Sequence, residues 1–177
     1  LLIASAVLTI GAMPAPSSIV TDRATLESLR AADLRLGAIG YRLADVAKYP
    51  AGVEDIETGI QWLKKNHSTY SLNRKKMVVL GESAGAQIAT LVGVKSKNKI
   101  QAIVNVDGIV SFIHPEAEES TYAAYWLDGD RDANLKNWTA ASPLEFVDKN
   151  TPPTLFINSS QPRFHAGRDD MMNKLKQ

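Results

Sequence analysis

Apolar residues along this chain fall into short continuous runs separated by amphipathic stretches, and that alternation predicts strands and helices in turn. Met77-Val78-Val79-Leu80 lies between Lys76 and Gly81 and is too short for a helix. Its unbroken apolarity fits a strand covered on both faces, as in a parallel sheet. Ile100 to Val106 reads the same way, as does Thr154 to Ile157 behind Pro152-Pro153. Leu36 to Leu43, which includes Gly37 and Gly40, is a further buried strand. After Tyr49-Pro50, the residues Val53, Ile56, Ile60 and Leu63 recur at spacings of three and four. They mark an amphipathic helix with Glu54, Asp55, Lys64 and Lys65 in water. Ala84 to Val94 predicts a helix of small and aliphatic residues, and Arg168 to Leu175 a short final one. Asp22 can N-cap a helix carrying Leu26, Leu29, Ala32 and Leu36 on one face. Strands alternating with helices imply an α/β fold with a mostly parallel sheet, right-handed crossovers and helices on both faces.

The first stretch breaks this rhythm. Leu1 to Ala12 is almost wholly apolar, yet shorter than the about 20 residues a membrane-spanning helix needs. Followed by Met13-Pro14-Ala15-Pro16-Ser17-Ser18, it resembles the apolar core and cleavage region of a secretory signal peptide, without the Met and basic residue that open one. The expectation is a cropped leader plus linker over residues 1–18, which implies export, and one domain over 19–177. The alternative is a buried strand or helix, in a cytoplasmic protein.

Charge and composition narrow the function classes. Lys+Arg number 20 against 19 Asp+Glu, and no basic face stands out, which argues against a nucleic-acid partner. Arg74-Lys75-Lys76 reads as a solvated strand entrance. The absence of cysteine excludes disulfides, thiolate metal sites and a cysteine nucleophile. Asp128-Gly129-Asp130-Arg131-Asp132-Ala133-Asn134 alternates oxygen ligands like a calcium loop, but it has Ala133 where that loop needs glycine and Thr139 where it needs Glu. A solvated loop is the expectation, with no metal and no cofactor. Trp126 and Trp138 flank it as core residues, or as cleft walls. Composition sets no oligomeric state and points to no membrane partner.

The chemistry concentrates in Gly81-Glu82-Ser83-Ala84-Gly85. A serine hydroxyl is a weak nucleophile until it is positioned and deprotonated. The G-x-S-x-G elbow places it on a tight strand-to-helix turn, and here an apolar strand precedes Gly81 and a helix of small residues follows Gly85. Gly81 and Gly85 let neighbouring chain approach without a Cβ clash. Ala84, next after the serine, is the expected oxyanion donor.

Tyr41-Arg42-Leu43, Tyr49-Pro50-Ala51-Gly52-Val53-Glu54-Asp55-Ile56 and the elbow resemble the hormone-sensitive-lipase and acetyl/feruloyl esterase branch of the α/β hydrolases. Ala141-Ser142-Pro143-Leu144 and Pro152-Pro153-Thr154-Leu155-Phe156-Ile157 fit that branch too, and Pro162 to Asp170 looks like bacterial carbohydrate esterases. The resemblance runs from about Leu36 onward. It implies an incomplete α/β-hydrolase fold and hydrolysis of a small-molecule or polysaccharide ester, such as acetyl or feruloyl groups on plant polysaccharide. The branch's His-Gly-Gly oxyanion segment has no counterpart, because no His-Gly pair exists in the sequence. Its order of Ser, acid, His places a further strand and histidine loop beyond the last acid-bearing strand, about where Gln177 falls.

Within the chain, His165 is the candidate base, being downstream of Ser83 in a suitable loop. His67, at a helix end, suits the helix dipole, and His114, before Pro115, suits a surface or pocket rim. For the acid, Asp107 directly after its strand is preferred to Asp169. Setting Arg168-Asp169-Asp170 against the branch's Leu-Arg-Asp-Glu would put the usual acid position on His165. The competing functions are a non-catalytic hydrolase-fold remnant that binds carbohydrate or a partner, and a serine peptidase of the same fold.

Overall fold

The computed structural model describes residues 2–6, 35–95, 99–118 and 121–176. Five parallel strands form one sheet: β1 (Leu2–Ala6), β2 (Arg35–Ala38), β3 (Met77–Glu82), β4 (Ala102–Val106) and β5 (Thr154–Ile157), in the order β2-β1-β3-β4-β5. The chain steps outward from β1 to β2, then returns to the other side of β1 and runs on through β3, β4 and β5. The order therefore reverses between β1 and β3, and crevices at such a switch point, beyond the carboxyl ends of the strands, are where open α/β sheets bind ligands.

Two helices build the main core on one face. These are α1 (Ala51–Lys65) and α2 (Ala84–Lys95). Val53, Ile56 and Ile60 from α1 and Ile88, Leu91 and Val92 from α2 pack with Met77, Val79 and Ile103 of the sheet. Every residue of α2 from Gly85 to Gly93 is buried. That explains why its sequence is apolar all round rather than striped. On the opposite face, Leu155 and Ile157 of β5 are half-exposed among the described residues.

Two short helices, α3 (Thr121–Trp126) and α4 (Leu135–Ala140), form a separate lobe with the segment after β4, and α5 (Arg168–Leu175) closes the described chain. In the lobe, Phe112, Ala123, Leu127, Trp138 and Ala141 form a second core cluster. It is tied to the main core by hydrogen bonds at one corner: Tyr49 Oη donates to the Ala140 carbonyl at 2.9 Å and Gln87 Nε2 to the Ala141 carbonyl at 2.5 Å. Ser142 Oγ donates to Trp138 O and accepts from the Phe112 N–H, so this buried hydroxyl is fully used.

The extents of β5 and α5 match the sequence reading residue for residue. Leu2–Ala6 forms β1, pairing with β2 on one side and β3 on the other. One difference has a physical cause. The strand expected over Leu36 to Leu43 ends at Ala38. Beyond it, the Arg42 N–H binds the Asp55 carboxylate at 2.9 Å rather than a neighbouring strand. The segment from Asp128 to Asn134, expected as a solvated loop, is largely exposed and tied from within: Asn134 Nδ2 donates to the Leu127 and Asp128 carbonyls, and Trp138 Nε1 to that of Gly129. The helix expected after Asp22 lies outside the described residues. Among the described residues, no helix is long and apolar enough to cross a membrane.

Candidate active site

Ser83 sits in the turn between β3 and α2, the third strand of five and the most buried helix. Its φ is 53°, in the left-handed region that costs a non-glycine residue about 1–3 kcal/mol unless surrounding contacts hold it. Those contacts are present. The Ser83 N–H donates to Val106 O at 2.8 Å, and its carbonyl accepts from the N–H groups of Ala86 and Gln87. A Cβ at Gly81 would overlap the Gly85 carbonyl and the Ala86 nitrogen, so this turn closes only with glycine there. Ala84 opens α2, and its N–H has no acceptor among the described residues, as a first-turn donor should not. That leaves it available to an oxyanion.

Ser83 and Ala84 line a cavity of about 240 Å³. Its other walls come from distant segments: Tyr41 after β2, Ile88 of α2, Phe112 after β4, Trp126 of α3 and Phe164 before α5. The lining is mainly apolar, and among the described residues no acidic side chain belongs to it. Tyr41 contributes a buried hydroxyl without a hydrogen-bond partner among the described residues, and burial raises its pKa, so it stays protonated. Arg42, also in the wall, is neutralised by Asp55: its Nη2 lies 2.7 Å from Oδ1 and its Nε 2.9 Å from Oδ2. The same hydrogen bonds hold the Asp55 carboxyl below its ordinary value.

Asp107 stands at the end of β4, also at positive φ, 51°. It is held from three directions. Its N–H donates to Ile157 O, its Oδ1 accepts the Ser159 N–H at 2.7 Å, and the next N–H, of Gly108, binds Asn105 Oδ1. Asn105 is fully buried and donates through Nδ2 to Thr90 Oγ1, which donates to Ala86 O. A buried chain of hydrogen bonds thus fastens the end of β4 to the helix that begins at Ser83. The fit is close, since a Cβ on Gly108 would come 2.5 Å from that of Ala86.

The three histidines occupy separate places. His165 follows the cavity-wall residue Phe164, and its Nε2 bonds Ser159 O at 2.9 Å. His114 pairs through Nε2 with Asp170 Oδ2 at 3.2 Å, while its Nδ1 accepts the Glu116 N–H. His67 lies past the end of α1, in the turn that follows. Among the described residues, no hydrogen bond joins Ser83 to an imidazole. Asp169 is exposed and pairs with the adjacent Arg168. The structure therefore gathers Ser83, Ala84 and Asp107 at neighbouring strand ends and keeps Asp169 out in solvent. Of the cavity wall, sequence reading offered Trp126 as one alternative and missed the rest, along with the Asn105–Thr90 bridge; only the apolar strand around Asn105 hinted that a buried polar residue needs a partner.

The BD-FAE family pattern matches residues 18–164, most of the sequence. The chain belongs to the BD-FAE family. This BD-FAE chain is 25% identical to Esterase LipC of Mycobacterium tuberculosis over 169 residues, which cover 85% of this chain and 42% of LipC. The chain thus spans less than half the length of that curated relative. Among solved structures, a bifunctional GH43-CE of Bacteroides eggerthii superposes with a TM-score of 0.74 at 20% identity, over 85% of this chain and 23% of that one. Carboxyl esterase 2 of the mycorrhizal fungus Tuber melanosporum gives 0.72 at 18% identity, over 99% of this chain and 64% of that one. The fold is that of the α/β hydrolases.

Proposed function

We propose that Ser83 is the nucleophile of a carboxylic-ester hydrolase, acting on acetyl or feruloyl esters of plant polysaccharide. The observation that carries this reading is the backbone of Ser83, held at φ 53° at the end of the central strand, against an apolar cavity and beside the open N–H of Ala84. In this reading Ser83 Oγ adds to the ester carbonyl as its proton passes to a base. The Ala84 N–H receives the negative oxygen. The bond to the alcohol then breaks, with the proton returned to the leaving oxygen, and water releases the acid from Ser83. His165 is the base and Asp107 the acid assigned here. His165 must exchange the Ser159 carbonyl for Ser83 to act, a tightening that substrate commonly brings to an unliganded site. The esterase names of LipC and the fungal enzyme support the reaction class, and the GH43-CE supports a carbohydrate ester. The test is hydrolysis of p-nitrophenyl acetate by the folded protein, lost in Ser83→Gly. Hydrolysis that survives the substitution contradicts the assignment.

A second reading, a hydrolase-fold protein that binds a carbohydrate without cleaving it, has one observation in its favour: Ser83 has no imidazole bonded to it among the described residues. It is separated from the first by the same assay, which would then show no turnover above buffer.

A further inference from the structure

The rim of the Ser83 cavity carries a cation that no described residue neutralises. Arg163 lies in the short helical turn Pro162–Phe164, is exposed, and lines the cavity. Its guanidinium stacks over the Phe164 ring, 4.8 Å from the centroid, and has no carboxylate or hydrogen-bond partner among the described residues. The other cation in the wall, Arg42, is already paired with Asp55. Among the described residues the lining itself contributes no carboxylate, and the low-dielectric walls of Ile109, Phe112, Trp126 and Phe164 strengthen the pull of the Arg163 charge on an anion. A planar guanidinium presents paired donors that fit a carboxylate bidentately, and the Phe164 ring beneath it supports it at the rim.

We propose that Arg163 selects esters whose alcohol portion carries a carboxylate, such as an acetylated acidic sugar. The inference rests on the esterase reading for its chemistry. The alcohol is assigned rather than the acyl group because the alcohol leaves first, while the acyl group is still bonded to Ser83 inside the cavity, which puts the alcohol toward the mouth, where Arg163 stands.

The test is binding to Ser83→Gly protein, which cannot turn the ligand over, read by tryptophan fluorescence through Trp126. The probes are 4-acetoxybenzoate and its neutral methyl ester. The anion is expected to bind about three- to tenfold more tightly at low salt, the exposed position limiting the gain. Near 1 M salt, where the screening length falls to about 3 Å, the preference should vanish. Adding Arg163→Gln should abolish it and Arg163→Lys should retain part, while Lys149→Gln, on a distant exposed turn, should leave it intact. Equal affinities, no detectable binding, or a preference that survives Arg163→Gln would each overturn the proposal. Assaying both esters with the unsubstituted protein separates the two claims. An anion preference in binding without hydrolysis of either ester sinks the esterase reading and leaves the anion site standing. Hydrolysis of both without preference in binding does the reverse.

Discussion

Asp107 and His165 hold the two backbone polar groups of one residue, Ser159. The Asp107 carboxylate accepts the Ser159 N–H at 2.7 Å, and His165 Nε2 bonds the Ser159 carbonyl at 2.9 Å. Residues 52 apart in sequence for one bond and six for the other are thereby fixed relative to the end of β4, which is itself bonded to Ser83. Asp107→Ala should release this loop, raising amide hydrogen exchange at Ser159 by about tenfold or more, while Asp107→Asn, which keeps an acceptor oxygen, should change it little. Equal exchange in both variants would show that the carboxylate does not hold the loop.

The strained serine gives a paired stability test. Ser83→Gly removes the cost of the left-handed backbone and should stabilise the fold by about 0.5–1 kcal/mol, whereas Ser83→Ala, which keeps the strain, should not. Thermal or urea unfolding of the two variants decides it. Both should be inert as nucleophiles.

Gly81→Ala tests the turn itself. The added methyl meets the Gly85 carbonyl backbone, which cannot step aside as a side chain could, so a loss of roughly 2–4 kcal/mol is expected together with loss of reactivity at Ser83. Wild-type stability in this variant would mean that the elbow is wider than described.

The buried bridge from β4 to α2 predicts a graded series. Thr90→Val strands the Asn105 amide and should cost about 1–3 kcal/mol, while Thr90→Ser, which retains the hydroxyl, should cost less than half of that. Chemical denaturation measures both, and similar losses would assign the effect to packing rather than to the hydrogen bond.

Acid should loosen the Tyr41-Arg42 wall. The folded-state pKa of Asp55 is depressed below its ordinary value of 3.8, chiefly by the Arg42 hydrogen bonds. Its stabilising contribution is therefore present at neutral pH and is lost as pH falls below 3.8 through that depressed value. Asp55→Asn should lower the melting temperature at pH 7 and flatten its fall below pH 4. A parallel fall in both proteins would contradict this.

Local pattern carried much of the fold. Thr154–Ile157 and Arg168–Leu175 are legible to the residue because Pro152-Pro153 and Gly167 punctuate them; the apolar run Met77 to Leu80 marks the strand that starts at Met77, which continues two residues further, to Glu82. Less legible was anything set by distant contacts. Ile39 to Leu43 looks like strand, but Tyr41 packs against Gly52 and Arg42 turns to Asp55, thirteen residues away. The six-residue helices α3 and α4 are too short to show a stripe. At the site, Ser83, Ala84 and Gly81 announced themselves through the motif. The roles of Asp107 and His165 depend on the backbone N–H and carbonyl of Ser159, which no local pattern marks, and the cavity wall assembles from five separate segments.

That the strained turn makes Ser83 a nucleophile is tested most directly by reaction with a fluorophosphonate followed by peptide mass mapping. A single adduct is expected on the peptide containing Ser83, absent after Ser83→Gly and slowed by His165→Gln. Folded protein that forms no adduct, or one that carries it on another serine, would contradict the claim.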